Sequence, residues 1–181
     1  MSKTTPTRHF DTAIVGGGQA GLTMGYHLAQ QDRSFVILDA GSRVGDVWRN
    51  RWDSLRVFST ARNSTLPEMP FSAPDGSFPT KDEMGDYLEE YADRFDLPVC
   101  LDTRVESITQ SDDRYALTAG SQRFTANNVV IAAGPFHHPN VPRFAEELDP
   151  AITQLHSSEY RNPSQLPDGD VLVVGAGNSG A

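Results

Sequence analysis

The chain has 181 residues, 38% of them hydrophobic, a formal net charge of -9 and a pI near 4.9. That length supports one well-buried domain and part of another, and the acidic field argues against nucleic acid and anionic membrane surfaces as partners. Cys100 is the only cysteine, which excludes an intrachain disulfide or a CxxC redox pair within this sequence; with no apolar run of signal-peptide or membrane-span length, a reducing, cytoplasmic location is expected.

Residues 1–8 read as a disordered polar tail. Phe10 to Val15 is an apolar run that predicts a strand, and GGGQAG follows it with Gly16, Gly18 and Gly21 in GxGxxG register. In that pattern the first glycine makes the tight turn, the second lets a pyrophosphate approach the backbone, and the third lets helix and strand pack closely. An anion then sits at the positive end of the following helix, so Gly16, Gly18, Gln19, Ala20 and Gly21 are candidate dinucleotide-binding residues. Leu22, Tyr26 and Ala29 recur at helical spacing, and Ser34 to Leu38 predicts a second, buried strand. It ends at Asp39 and Ala40, with Asp39 near the ~20-residue offset of a carboxylate that receives an adenosine ribose. Gly18→Val is expected to block binding, with Gly41 as the silent control.

From Gly41 to Pro79 no period is sustained, and both tryptophans fall here; a segment this long reads as a functional loop rather than a packed insertion. Thr80 and Glu83 form a capping box, followed by Met84, Tyr87, Leu88, Tyr91 and Phe95 as the packing stripe of a helix. Val99 to Leu101, Thr103 to Thr109, Tyr115 to Ala119, Gln122 to Thr125 and Asn128 to Ala132 read as short strands of an antiparallel meander inserted before the chain returns to a parallel sheet. PFHHPNVP is an exit linker. Gly169 to Val174 predicts the first strand of a new unit, leading into a second fingerprint, GAGNSG, with Gly175, Gly177 and Gly180. The expected fold is α/β: a Rossmann-like domain over 9–142 with a parallel sheet and an inserted meander, a linker over 143–168, and the truncated start of a second Rossmann-like domain over 169–181. His137, His138 and His156 have no accompanying Cys or carboxylate cluster, so no metal site is expected.

The order of these features resembles the flavin-dependent monooxygenases that use FAD and NADPH, a family including the flavin-containing monooxygenases, the YUCCA-type enzymes and the Baeyer-Villiger monooxygenases. GDVWRNRWDSLRVFST and LPEMPF are similar to the bacterial and YUCCA-like branch. The resemblance implies FAD pyrophosphate on Gly16, Gly18 and Gly21, adenosine ribose on Asp39, Trp48 lining the flavin environment with Arg49 close by, and Val105 presenting backbone to the adenine. It implies that Ala132, Ala133 and Gly134 form the exit motif of the flavin domain. Gly175, Gly177, Asn178, Ser179 and Gly180 would start the NADPH domain, with NADH not excluded. The family's FxGxxxHxxx motif, followed by an aromatic residue, falls on His156 and Tyr160, with Pro150 and Ile152 in place of the Phe and Gly. Phe58 stands where some members place a flavin-adjacent Asn, so catalytic residues are not identified. The implied activity is insertion of one atom of dioxygen into a small organic substrate, here by the N-terminal portion of a longer protein; the alternative is a nucleotide-binding remnant without turnover. A disulfide reductase shares the two fingerprints but needs a cysteine pair.

Overall fold

A computed structural model describes residues 7–111, 113–134, 139–177 and 179. The first strand, β1 (Arg8–Val15), starts two residues before the predicted apolar run, so Arg8 belongs to the sheet and not to a tail. Polar Arg8 and His9 enter the ladder because pairing is a backbone property: they lie in register with Phe124 and Thr125 of a neighbouring strand. After the glycine turn comes α1 (Gln19–Ala29), then β2 (Phe35–Leu38), all four residues of which are buried. Burial on both faces is what a near-continuous apolar strand in a parallel sheet requires.

β1 lies at the centre and pairs in parallel with β2 on one side and with β6 (Gln122–Ile131) on the other. The six-stranded order is β3-β2-β1-β6-β5-β4, where β3 is Val99–Cys100, β4 Ser107–Ser111 and β5 Arg114–Ala119. Two expectations are corrected here. Val99 does not open the meander but pairs in parallel with Ile37. The two short strands expected over 122–132 are one strand, antiparallel to β5 over Gln122–Ala126 and parallel to β1 from Phe124 onward. Asn127 and Asn128 look like a break in the sequence, yet their amides reach the Asp11 carboxylate and carbonyl. That supplies polar partners without interrupting the strand.

The sheet buries both faces differently. On one, Ile14, Phe35 and Ile37 meet Leu22 of α1 and Met84, Leu88 and Tyr91 of α3 (Lys81–Arg94). On the other, Ala13, Val36 and Leu38 cluster with Leu117, Phe124 and Ala126 of the antiparallel arm. The capping box of α3 is present in full, with Thr80 and Glu83 exchanging hydrogen bonds, and these bonds hold the Glu83 carboxyl below the usual carboxylate range.

The segment 41–79, aperiodic in sequence, is packed. Val44, Val57, Ala61, Met69 and Phe71 are buried in the α3 cluster, presented by single turns such as α2 (Asp46–Arg49) and a 3-10 turn over Ala61–Ser64. Tyr87 fastens this segment by accepting from the Leu66 amide and donating to the Met69 carbonyl, both at 2.6 Å. Tyr91, beside it, is fully buried with no partner for its hydroxyl among the described residues, and burial pushes its pKa up to about 12. Tyr91→Phe is therefore expected to stabilise the chain by about 1 kcal/mol, because a buried unmade hydrogen bond costs more than its removal. A higher urea midpoint at unchanged slope is the expected reading.

Two compact units are present. Residues up to Asn50 and Arg56–Gly134 form one, and Arg51–Leu55 with the residues after Gly134 form the other. Within the second, Asp53 donates its amide to the Arg161 carbonyl at 2.7 Å, and the Asn162 side chain donates to the Asp53 carboxylate at 2.7 Å. The strand expected over Gly169–Val174 is not formed. Val171 to Val174 are exposed, Leu172 at 86%. A strand is stable only when its amides find a neighbouring ladder, and among the described residues none pairs with this run.

Candidate functional site

β2 and β6 flank β1 on opposite sides, so the carboxyl ends of β1 and β6 lie at the switch point of the sheet, where open α/β sheets place their ligands. Gly16 turns the chain there with φ +108°, in the left-handed region. A Cβ on it would lie 2.4 Å from the Ala132 carbonyl oxygen. The first fingerprint and the VVIAAG run therefore meet backbone to backbone, and the Ala132 amide also donates to the Val15 carbonyl at 2.8 Å. Ala133 lies against the same glycine, and Gly134 has φ +69°.

The three fingerprint glycines have separate reasons to be glycine. A Cβ on Gly21 would sit 1.9 Å from the Gly16 carbonyl oxygen, so this position lets α1 lie on the turn. Around Gly18, by contrast, an added Cβ would meet nothing within 4 Å, and its φ of -81° is open to any residue. The fold does not need a glycine there; open space lies in front of the backbone at the start of a helix. That helix has no side-chain cap and no acidic residue in its first turn. Among the described residues, then, no N-cap side chain or first-turn carboxylate serves the first amides of this helix, on exposed Gln19 and Ala20. Open space, uncapped amides and the positive helix end together form a cradle for an anion.

Asp39 stands beside this cradle. One carboxylate oxygen accepts from the Gly17 amide at 2.5 Å and the other from the Gly41 amide at 2.7 Å, while its carbonyl accepts from Thr103 at 2.7 Å. The sequence does not mark Gly17 as part of the site and marks Gly41 only as a control; the short DAG turn is the available signal. Ionised oxygens keep further lone pairs, so Asp39 can brace the turn and still receive a hydroxyl. Asp39→Ala is expected to weaken dinucleotide binding by about 1 to 3 kcal/mol, the range for a lost bond to a charged group, and to lower the melting temperature of the free chain. Calorimetric titration together with thermal unfolding reads both effects.

Gly41 is not a silent control, because a Cβ there would lie 2.9 Å from the Asp39 carboxylate. Gly76, with open space and no left-handed φ, serves instead. Ala40 is exposed next to Asp39. Trp48 is half-buried against the α3 cluster. The Arg49 guanidinium is taken up by the Val44 carbonyl at 2.5 Å, Asp86 at 2.8 Å and Glu89 at 3.0 Å. That anchors α2 on α3. Val105 packs in the second core cluster, on the face bearing Leu117 and Phe124.

In the second unit, Gly175 has φ +115°, close to the +108° of Gly16. Gly177 and Ser179 follow it, while Asn178 and Gly180 lie outside the described residues, as do His137 and His138. His156 heads a turn in which its amide donates to Glu159 and its Nδ1 accepts from the Ser158 amide. Tyr160 closes this turn by donating its amide to the His156 carbonyl at 3.2 Å. Among the described residues no group of three His, Cys, Asp or Glu could hold a metal ion, and no helix is long and apolar enough to cross a membrane.

A parallel β-α-β unit with a glycine turn at the switch point defines a Rossmann-like α/β protein. Residues 13–181 match the family described as pyridine nucleotide-disulphide oxidoreductase, and the chain belongs to that family. It is 48% identical over 171 residues to a CzcO-like oxidoreductase of Geobacillus kaustophilus, covering 94% of this chain and 49% of the relative. It is 31% identical to the probable indole-3-pyruvate monooxygenase YUCCA7 of Arabidopsis thaliana, covering 92% and 42%. A double mutant of a flavin monooxygenase from Stenotrophomonas maltophilia superposes with a TM-score of 0.89 at 34% identity, covering 96% of this chain and 53% of that one. The chain thus spans about half the length of the curated relatives it matches. The expected resemblance to flavin monooxygenases, and the α/β fold that came with it, hold.

Proposed function

We propose that the first fingerprint binds FAD and that the protein is a FAD- and NAD(P)H-dependent monooxygenase of the reducing cytoplasm, inserting one atom of dioxygen into a small organic substrate. The observation that carries the reading is Gly18, a glycine the fold does not require, with open space before it at an uncapped helix start. The names of the flavin monooxygenase and YUCCA relatives support the reaction class, and the pyridine nucleotide family supports the reductant.

In this reading the residues present fit a dinucleotide. Gly18, Gln19 and Ala20 receive the pyrophosphate on backbone amides, and Asp39 receives the adenosine ribose. Val105 backs the adenine, and Trp48 and Arg49 stand with α2 on the flavin side. Ala133 and Gly134 border the turn from β6. Gly175, Gly177, Asn178, Ser179 and Gly180 begin the site for NADPH, or NADH. Bound flavin supplies hydride acceptance and oxygen transfer; the polypeptide orients it and shields it from water.

The test is a FAD titration of the purified chain, read by flavin fluorescence and visible absorbance. Saturable one-to-one binding is the expected result. A folded chain that leaves FAD free refutes the first fingerprint as the flavin site. NADPH oxidation coupled to oxygen consumption by the full-length protein then tests the reaction class.

A further inference from the structure

A path of hydrogen bonds and short chain segments leads from the glycine turn to Glu89 on α3. The Asp39 carboxylate joins the Gly17 and Gly41 amides. Gly41 runs directly into Ser42 and Arg43, whose hydroxyl and amide donate to the Asp46 carboxylate, both at 3.0 Å, closing the turn that starts α2; a Cβ on Gly41 would lie 3.6 Å from the Asp46 Cβ. Both ends of this 43–49 segment then reach one carboxylate on α3. Arg43 grips Glu89 with two nitrogens, at 2.7 and 2.5 Å, and Arg49 adds a third contact at 3.0 Å. α2 can come this close because Gly45 and Gly85 face each other: a Cβ on Gly45 would lie 2.3 Å from the Gly85 carbonyl oxygen.

We propose that Glu89 is a positioning residue for the dinucleotide site: by holding Arg43 and Arg49 together it sets the 41–49 segment, and through Gly41 and Asp39 it sets the turn at Gly17 and Gly18. The inference rests on the first fingerprint being the FAD site. The physical reason is geometric. A four-residue helix has too few internal hydrogen bonds to hold its own position, so its placement comes from its anchors. Glu89 holds both arginines within 3.0 Å, and its bidentate pairing with Arg43 fixes direction as well as distance. Asp86 assists but is more exposed, and its contact to Arg43 is longer, at 3.8 Å.

The experiment compares Glu89→Ala, Glu89→Gln and the exposed neighbour Glu90→Ala by FAD titration, by the visible spectrum of the bound flavin and by thermal unfolding of the free chain. For Glu89→Ala, FAD binding is expected to weaken about tenfold and the bound-flavin absorption band to shift, at a temperature where the free variant is folded. Glu89→Gln is expected to fall between, while Glu90→Ala stays within about twofold of wild type. If Glu89→Ala does not fold, Arg43→Gln, on a half-exposed side chain, is expected to weaken binding and move the spectrum in the same direction. Wild-type affinity with an unchanged bound-flavin spectrum in the folded Glu89 variant, or in Arg43→Gln, overturns the proposal. Failure of the wild-type chain to bind FAD instead refutes the site reading on which it rests.

Discussion

Gly18→Val is expected to abolish FAD binding while leaving the chain folded. Its Cβ would enter open space, and the backbone at Gly18 has an ordinary extended φ and ψ. Among the described residues no atom within 4 Å of that Cβ resists the substitution. The isopropyl group would instead occupy the volume in front of the helix start, where a phosphate must approach to within about 3 Å of the amides. Circular dichroism and the melting temperature are expected to match wild type, with no saturable flavin signal. Gly76→Val, in a surface turn, is the control and is expected to bind normally. Equal affinities for the two variants would remove Gly18 from the site.

Gly21→Ala has the opposite signature. The position is helical, where alanine alone would gain about 1 kcal/mol over glycine. Its methyl would meet the Gly16 carbonyl oxygen at 1.9 Å, however, a backbone atom that cannot rotate aside. α1 would have to lift from the turn, separating Leu22 from Ile14 and Ile37 in the core cluster. Overpacking of this kind costs about 1 to 3 kcal/mol in ordinary cores and more where backbone must move. A net loss of about 3 kcal/mol is expected, read as a lower urea midpoint for the free chain. FAD binding would weaken only as a consequence of the lost fold. Unchanged stability would mean that helix and turn adjust more freely than their contact indicates. The pair of variants separates a glycine kept for a ligand from a glycine kept for packing, though both stand in one GxGxxG.

Much of the architecture was legible in the sequence because it follows from local rules. The run to Val15, the glycine turn, the stripe of Leu22, Tyr26 and Ala29, and the buried second strand each carry a period or a turn chemistry of their own. The Thr80 and Glu83 cap was equally legible, since its hydrogen bonds span three residues. The meander was read less well. Val99 belongs to the parallel sheet because its partner is Ile37, and residues 122–131 form one strand because β1 and β5 flank it on two sides. Pairings between residues far apart in sequence leave no local period. The packing of 41–79 was hidden for the same reason: Val57, Met69 and Phe71 are buried by α3, and their spacing follows its surface rather than a helix or strand repeat.

The same division holds at the site. The sequence by itself determined that a glycine turn joins a buried strand to a helix and that a carboxylate follows the second strand, because these are properties of short segments with fixed backbone demands. Only the tertiary structure decided that Asp39 braces Gly17 and Gly41, that Ala132 fills the space beside Gly16, and that Arg49 turns toward Asp86 and Glu89 on α3. It also separated Gly18 from its neighbours, because the need for a glycine depends on which atoms stand within reach of an absent Cβ, and those atoms come from strands and helices distant along the chain.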